Sequence, residues 1–122
     1  MGYDHELADR IRDLVADEVG VTEQEMFGGL AFLINGNMAV AASGQGGVLV
    51  RVNPEETEAL ADGERVTPMV MGGREMRGWL LVDTAAVRTP SQLEQWVARG
   101  ATYARSLPAK TKIQRRRSTA TG

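Results

Sequence analysis

Leu7, Ile11, Leu14, Val15 and Val19 recur at helical spacing with Asp and Arg residues between them. This spacing predicts an amphipathic helix over residues 4–19, with Asp4 as N-cap and Gly20 as its end. Thr22 and Glu25 fit a capping box, with Val21 and Met26 placed as a hydrophobic staple, so a short helical turn is expected before Met26-Phe27-Gly28-Gly29. From Leu30 the period changes. Residues 30–34 and 38–42 are apolar runs flanking Asn35-Gly36-Asn37, a strong hairpin signal. A glycine-rich turn over residues 43–47 then leads to a third strand over residues 48–52.

Asn53-Pro54-Glu55-Glu56 reads as N-cap, N1 proline and N3 glutamate, opening a helix to about Leu60 that stops at Gly63. Residues 66–71 and 76–82, joined through Gly72-Gly73-Arg74, form a second hairpin, and Pro68 places its first strand at an edge or a bulge. Thr89-Pro90-Ser91-Gln92 repeats the cap logic. Leu93, Trp96, Val97, Tyr103 and Leu107 give the last helix its apolar stripe, despite Gly100, which costs about 1 kcal/mol relative to Ala. The predicted order is α-β-β-β-α-β-β-α, an α+β two-layer fold with a five-stranded antiparallel sheet and helices on one face. Residues 1–108 make the domain. Residues 109–122, polar or small apart from Ile113, are expected to be a disordered basic tail.

Composition then narrows the chemistry. The 122 residues include no cysteine and one histidine, His5, which excludes disulfides, thiolate metal sites, cysteine nucleophiles and His-based metal clusters. No cofactor and no metal are expected. The 6 methionines are read as adaptable core filler. The N-terminus lacks a secretory pattern and no apolar run approaches the ~20 residues of a membrane span, so a cytoplasmic protein without membrane contact is expected. The net charge of −2 conceals a division: residues 1–64 carry 13 acids and 3 bases, and residues 65–122 carry 3 acids and 11 bases. Five of those bases, Lys110, Lys112, Arg115, Arg116 and Arg117, lie in the tail. The domain is therefore acidic and its tail basic, which makes the tail a candidate nucleic-acid arm as well as a solubilising segment.

Ser43 lacks the strand-to-helix elbow a nucleophile needs, and Gly44-Gln45-Gly46-Gly47 leads into a strand where a phosphate cradle requires a helix N-terminus. Glu55, Glu56 and Glu58 suit a helix start, whose dipole favours acids. His5 reads as a solvated residue. Arg51, Arg74 and Arg77 are the candidate anion or partner contacts, because strand and hairpin arginines can present planar guanidinium groups to phosphate or carboxylate. The same residues also suit a solvent-facing or salt-bridging role.

Met26-Phe27-Gly28-Gly29, Asn35-Gly36, Met38, the strand Leu49-Val50-Arg51-Val52 and Gly73-Arg74-Glu75-Met76-Arg77-Gly78-Trp79 together resemble the N-terminal domain of the TfoX/Sxy family, over residues 5 to about 107. The resemblance implies a small α+β domain similar to the secretion-chaperone-like folds. It also implies a link to regulators of natural competence, which act with a cyclic-AMP receptor protein on a subset of promoters. Those regulators carry a further C-terminal helical domain where this chain has its basic tail. The family supplies no catalytic residues. In physical terms Gly28 and Gly29 permit a sharp turn from helix into strand, Asn35 and Gly36 tolerate positive φ, and Trp79 offers a large buried surface. The expected function is a non-enzymatic regulatory module that self-associates or docks a protein partner. The alternatives are a nucleic-acid-associated factor using the tail, and a small-ligand binder or enzyme with an arginine-lined cleft.

Overall fold

A computed structural model of the chain describes residues 3–26, 28–44 and 46–108. Phe27, Gln45 and the tail bases Lys110, Lys112, Arg115, Arg116 and Arg117 lie outside the described residues. The elements are α1 (His5–Leu14), β1 (Val21–Met26), β2 (Gly29–Ile34), β3 (Asn37–Ala42) and β4 (Val48–Arg51), then a 3-10 turn (Pro54–Glu56) running into α2 (Thr57–Leu60). There follow β5 (Val66–Met71), β6 (Arg74–Val82), a second 3-10 turn (Thr84–Val87) and α3 (Pro90–Ser106). The strands form one six-stranded sheet in the order β1-β2-β3-β4-β6-β5, and every pairing is antiparallel.

The α+β class and both hairpins agree with the sequence reading, and the strand count does not. Val21–Met26 is a strand, β1, where a capped helical turn was expected, so the sheet has six strands and the order begins α-β-β-β-β. Thr22 and Glu25 satisfy a helix-start template, but six consecutive residues of β1 lie opposite β2, from Val21↔Ile34 to Met26↔Gly29. Tertiary pairing overrides local preference here. The polar sequence suits an edge strand, which must stay soluble along its free side. Consequently Gly28 (φ +76°) sits in a β-hairpin turn, and the expected passage from helix into strand at Met26-Phe27-Gly28-Gly29 is corrected to a passage from strand to strand. Helix α1 is also shorter than its apolar spacing suggests. It ends at Leu14, and Val19 is 86% exposed in the loop that reverses the chain toward β1.

Local chemistry sets the other boundaries. Asp4 caps α1 through Glu6 N–H and Leu7 N–H, and Thr89 and Gln92 form a reciprocal capping box at α3. Asn35 (φ +54°) and Gly36 (φ +82°) make the tight turn of the β2–β3 hairpin, and both positive angles fit the turn twist that hairpins favour. Pro68 lies on the edge strand β5 at a register break, as its missing N–H requires.

Helices α1 and α3 cover one sheet face. Leu7, Ile11, Leu93 and Val97 meet Phe32, Val40, Val50, Leu80 and Val82 in the main core, where each large side chain contributes about 1.5–3 kcal/mol. Strands β2, β3 and β4 are buried on both faces, however. Residues that alternate with the main core form a second apolar cluster on the opposite face: Ala31, Met38, Ala41, Leu49 and Met69, with Met26, Leu33 and Trp79 packed against them.

Two buried polar side chains occur among the described residues. Thr57 donates to the Pro54 carbonyl (2.8 Å) and accepts from Gly78 N–H (2.7 Å), tying α2 to the irregular start of β6. Thr57→Val keeps the shape and strands a buried N–H, so urea denaturation should show a loss of about 1–3 kcal/mol. Asn37, 1% exposed, donates from Nδ2 to the Pro108 carbonyl (2.8 Å), and its Oδ1 has no partner among the described residues.

On the acidic side, Arg12 grips Glu23 through two hydrogen bonds, Nε to Oε2 at 2.6 Å and Nη2 to Oε1 at 2.9 Å, and so clamps β1 to α1. The Arg12 hydrogen bond holds the Glu23 carboxyl below its ordinary range. Backbone N–H donors of Val66, Glu64 and Arg65 do the same for Asp62. Groups with lowered folded-state pKa values stabilise fully above the unfolded carboxylate range and lose that contribution as pH falls through the folded value. A thermal-melt series should therefore fall as pH drops below about 4, and Glu23→Gln should flatten part of that slope.

Candidate functional site

The second sheet face leads to an unusual arginine. Arg51 ends β4, in register with Trp79 on β6. The residues beside it in the strand, Val50 and Val52, point into the main core, so Arg51 belongs to the same face as Leu49. Its guanidinium carbon lies 4.9 Å from the Trp79 ring centroid and 5.6 Å from that of Tyr103 on α3. The cation thus lies near one aromatic from each layer, within the range where cation–π attraction contributes about 0.5–2 kcal/mol. Arg51 makes no salt bridge among the described residues, where the ion pairs are Arg12 with Asp9 and Glu23, and Arg105 with Glu18. Two aromatics lie beside it, and it pairs with no carboxylate among the described residues.

The other candidate arginines lie elsewhere. Arg77 donates from Nη2 to the Pro54 carbonyl at 3.2 Å, and Arg74 is exposed at the start of β6 beside the Gly72-Gly73 turn. Neither lines the groove beside α3. That groove, about 560 Å³, lies between α3 and the turn carrying Asn53 and Glu56, and is also lined by Gln95, Arg99, Thr102 and Tyr103 among others. Tyr103 thus lies near Arg51 and also lines the groove. Arg99 stacks on Trp96 with its guanidinium carbon 5.3 Å from the ring centroid.

The motif residues are structural and several of them shape the second face. Met26 and Trp79 are half-buried against it, Met38 is part of its cluster, and Gly29 approaches the Ala42 carbonyl so closely that no Cβ fits. Gly78 (φ +89°) lets β6 break its register and bring Trp79 opposite Arg51. His5 stacks on Tyr3, with centroids 4.5 Å apart, in the first turn of α1. Glu55 belongs to the capped 3-10 turn, its N–H donating to Asn53 Oδ1. Ser43 closes the β3–β4 turn through its backbone, donating to the Gly47 carbonyl. Sequence reasoning singled out Arg51 without its aromatic partners. The available signal was a lone charge within an apolar strand, while the contribution of Tyr103, 52 positions away, is a product of the tertiary fold.

The fold and this face define a small two-layer α+β domain whose sheet buries apolar side chains on both sides. The model of the TfoX N-terminal domain family matches residues 13–104, and the chain belongs to that family. No curated protein and no solved structure matches it. No helix among the described residues is long and apolar enough to cross a membrane.

Proposed function

We propose that the chain is a non-enzymatic regulatory module of TfoX type that acts in the cytoplasm by self-association. A second copy of the chain docks on the sheet face opposite α1 and α3. One observation carries this reading: the second apolar cluster, bordered by Trp79 with the Arg51 guanidinium near its ring, a cation that makes no salt bridge among the described residues. Trp, Tyr and Arg are the residue types that dominate protein interface energies.

What a second copy covers is the rim of this face, where Met26, Leu33 and Trp79 are only partly buried around the cluster. An isologous dimer needs only one patch, used twice. The chain's 16 acids also supply the carboxylate that Arg51 lacks. Residues 109–122 are too polar to serve as cover, since Ile113 is their one large apolar side chain.

Sedimentation velocity over a concentration series tests the reading. The weight-average mass should rise from 13.2 kDa toward twice that value, with a dissociation constant on the order of 10 μM. A mass that stays monomeric to millimolar concentration overturns it.

A further inference from the structure

The two edges of the sheet are protected differently. Strand β5 carries Pro68 with a register break beside it, and both features hinder the pairing of a further strand. Strand β1 has neither. Its six residues run in unbroken register with β2, and Thr22, Glu23, Gln24 and Glu25 are exposed. No strand lies beyond it among the described residues.

One hydrogen bond fixes which backbone groups β1 leaves open. Gly20 lies opposite Asn35 by continuation of the register, and its carbonyl accepts from Asn35 N–H at 3.0 Å. Bonded and non-bonded pairs alternate along an antiparallel ladder, so Thr22, Gln24 and Met26 bond to β2 as Gly20 does. The N–H and C=O groups of Val21, Glu23 and Glu25 therefore point to the open edge. The side chains of these three residues alternate onto the helix side of the sheet, where Val21 packs on the main core.

That side offers a pocket and a charge in the same register. A pocket of about 420 Å³ lies between the end of α1 and the start of β1, lined by Arg12, Val15, Ala16, Glu18, Val21 and Glu23 among others. Glu23 is held by Arg12 and Glu18 by Arg105, whereas Glu25 makes no ion pair among the described residues. A second β1 fits this edge poorly. The two antiparallel registers that overlap most and match the open backbone groups set Glu23 opposite Glu23 or opposite Glu25, and like charges placed so repel.

We infer that the open edge of β1 takes an extended basic segment of a partner protein as an added strand. Main-chain bonds to Val21, Glu23 and Glu25 supply affinity, and alternate side chains select the sequence. In an antiparallel addition the segment sets a base against Glu25 and, four residues on, an apolar side chain against the pocket beside Val21. This surface is the sheet edge, so the inference does not rest on self-association through the second face.

NMR on the full-length chain, with the synthetic peptide acetyl-Thr-Lys-Thr-Val-Thr-Leu-Thr-amide as probe, tests it. At saturation the amides of Val21, Glu23 and Glu25 should exchange about 10-fold more slowly, a larger change than at Thr22 and Gln24, which already bond to β2. Glu25→Lys, or a peptide with glutamate in place of its lysine, should raise the dissociation constant about 5-fold. Proline in place of the peptide's valine removes the N–H that faces the Glu23 carbonyl and should abolish the slowing. Unchanged β1 amides at millimolar peptide overturn strand addition, and equal affinity for the glutamate peptide overturns the basic preference. Slow exchange at Val21, Glu23 and Glu25 before any peptide is added means that the edge is already covered, by the chain's own residues or a second copy, and overturns the partner segment.

Discussion

Trp79→Ala should weaken self-association by about 30-fold, corresponding to about 2 kcal/mol at an interface hot spot. The magnitude follows from what the ring does. It packs against the apolar cluster of Leu49 and Met69, and it lies beside the Arg51 guanidinium. Removing it takes away contact area and the ring beside the guanidinium, leaving a long side chain to be ordered on binding. Arg51→Lys should give an intermediate loss, because a lysine retains the charge and loses the flat face that lies on the ring. Trp79 is half-buried and outside the main core, so far-ultraviolet circular dichroism of both variants should match the native chain while sedimentation shows the shift. Equal dissociation constants for the native and Trp79→Ala chains would remove Trp79 from the interface.

The second large effect concerns the fold. Gly100→Ala raises intrinsic helix propensity by about 1 kcal/mol, yet it should destabilise the protein by about 1–3 kcal/mol. A Cβ at Gly100 would run into the Ala39 carbonyl oxygen and come within 2.8 Å of Val40 Cγ1. Helix α3 would have to lift from β3, opening the packing that Ala101 and Ala104 make with Ile34 and Ala39. Calorimetry should show Tm falling by at least about 5 °C. A rise in Tm would mean that α3 does not approach β3 as closely as described.

These two positions also show what can be read from residues alone. The turns at Asn35-Gly36 and Gly72-Gly73, the proline on edge strand β5 and the Thr89–Gln92 cap are local chemistry, and sequence reasoning placed all of them. It misread Val21–Met26 because a Thr-x-x-Glu spacing describes a helix start and a polar edge strand equally well, and only the partner strand decides. It extended α1 through Val19 because an apolar residue at helical spacing says nothing about where the chain must turn. Gly100 was recognised as a cost without its reason, since the Ala39 carbonyl that demands a glycine lies 61 positions away. The candidate site divided in the same manner. Arg51 stood out as a charge within an apolar strand, while its two aromatic neighbours come from other elements of the fold.

The central claim is that the sheet face opposite the helices is where one copy meets another. Isotope-filtered NMR on a mixture of labelled and unlabelled chains tests this most directly. The account predicts intermolecular contacts from the Trp79 indole to the methyl groups of Met26 and Leu33, the partly buried residues at the rim of that face. Intermolecular contacts confined to α1, α3 or β1, or none at millimolar concentration, would contradict it.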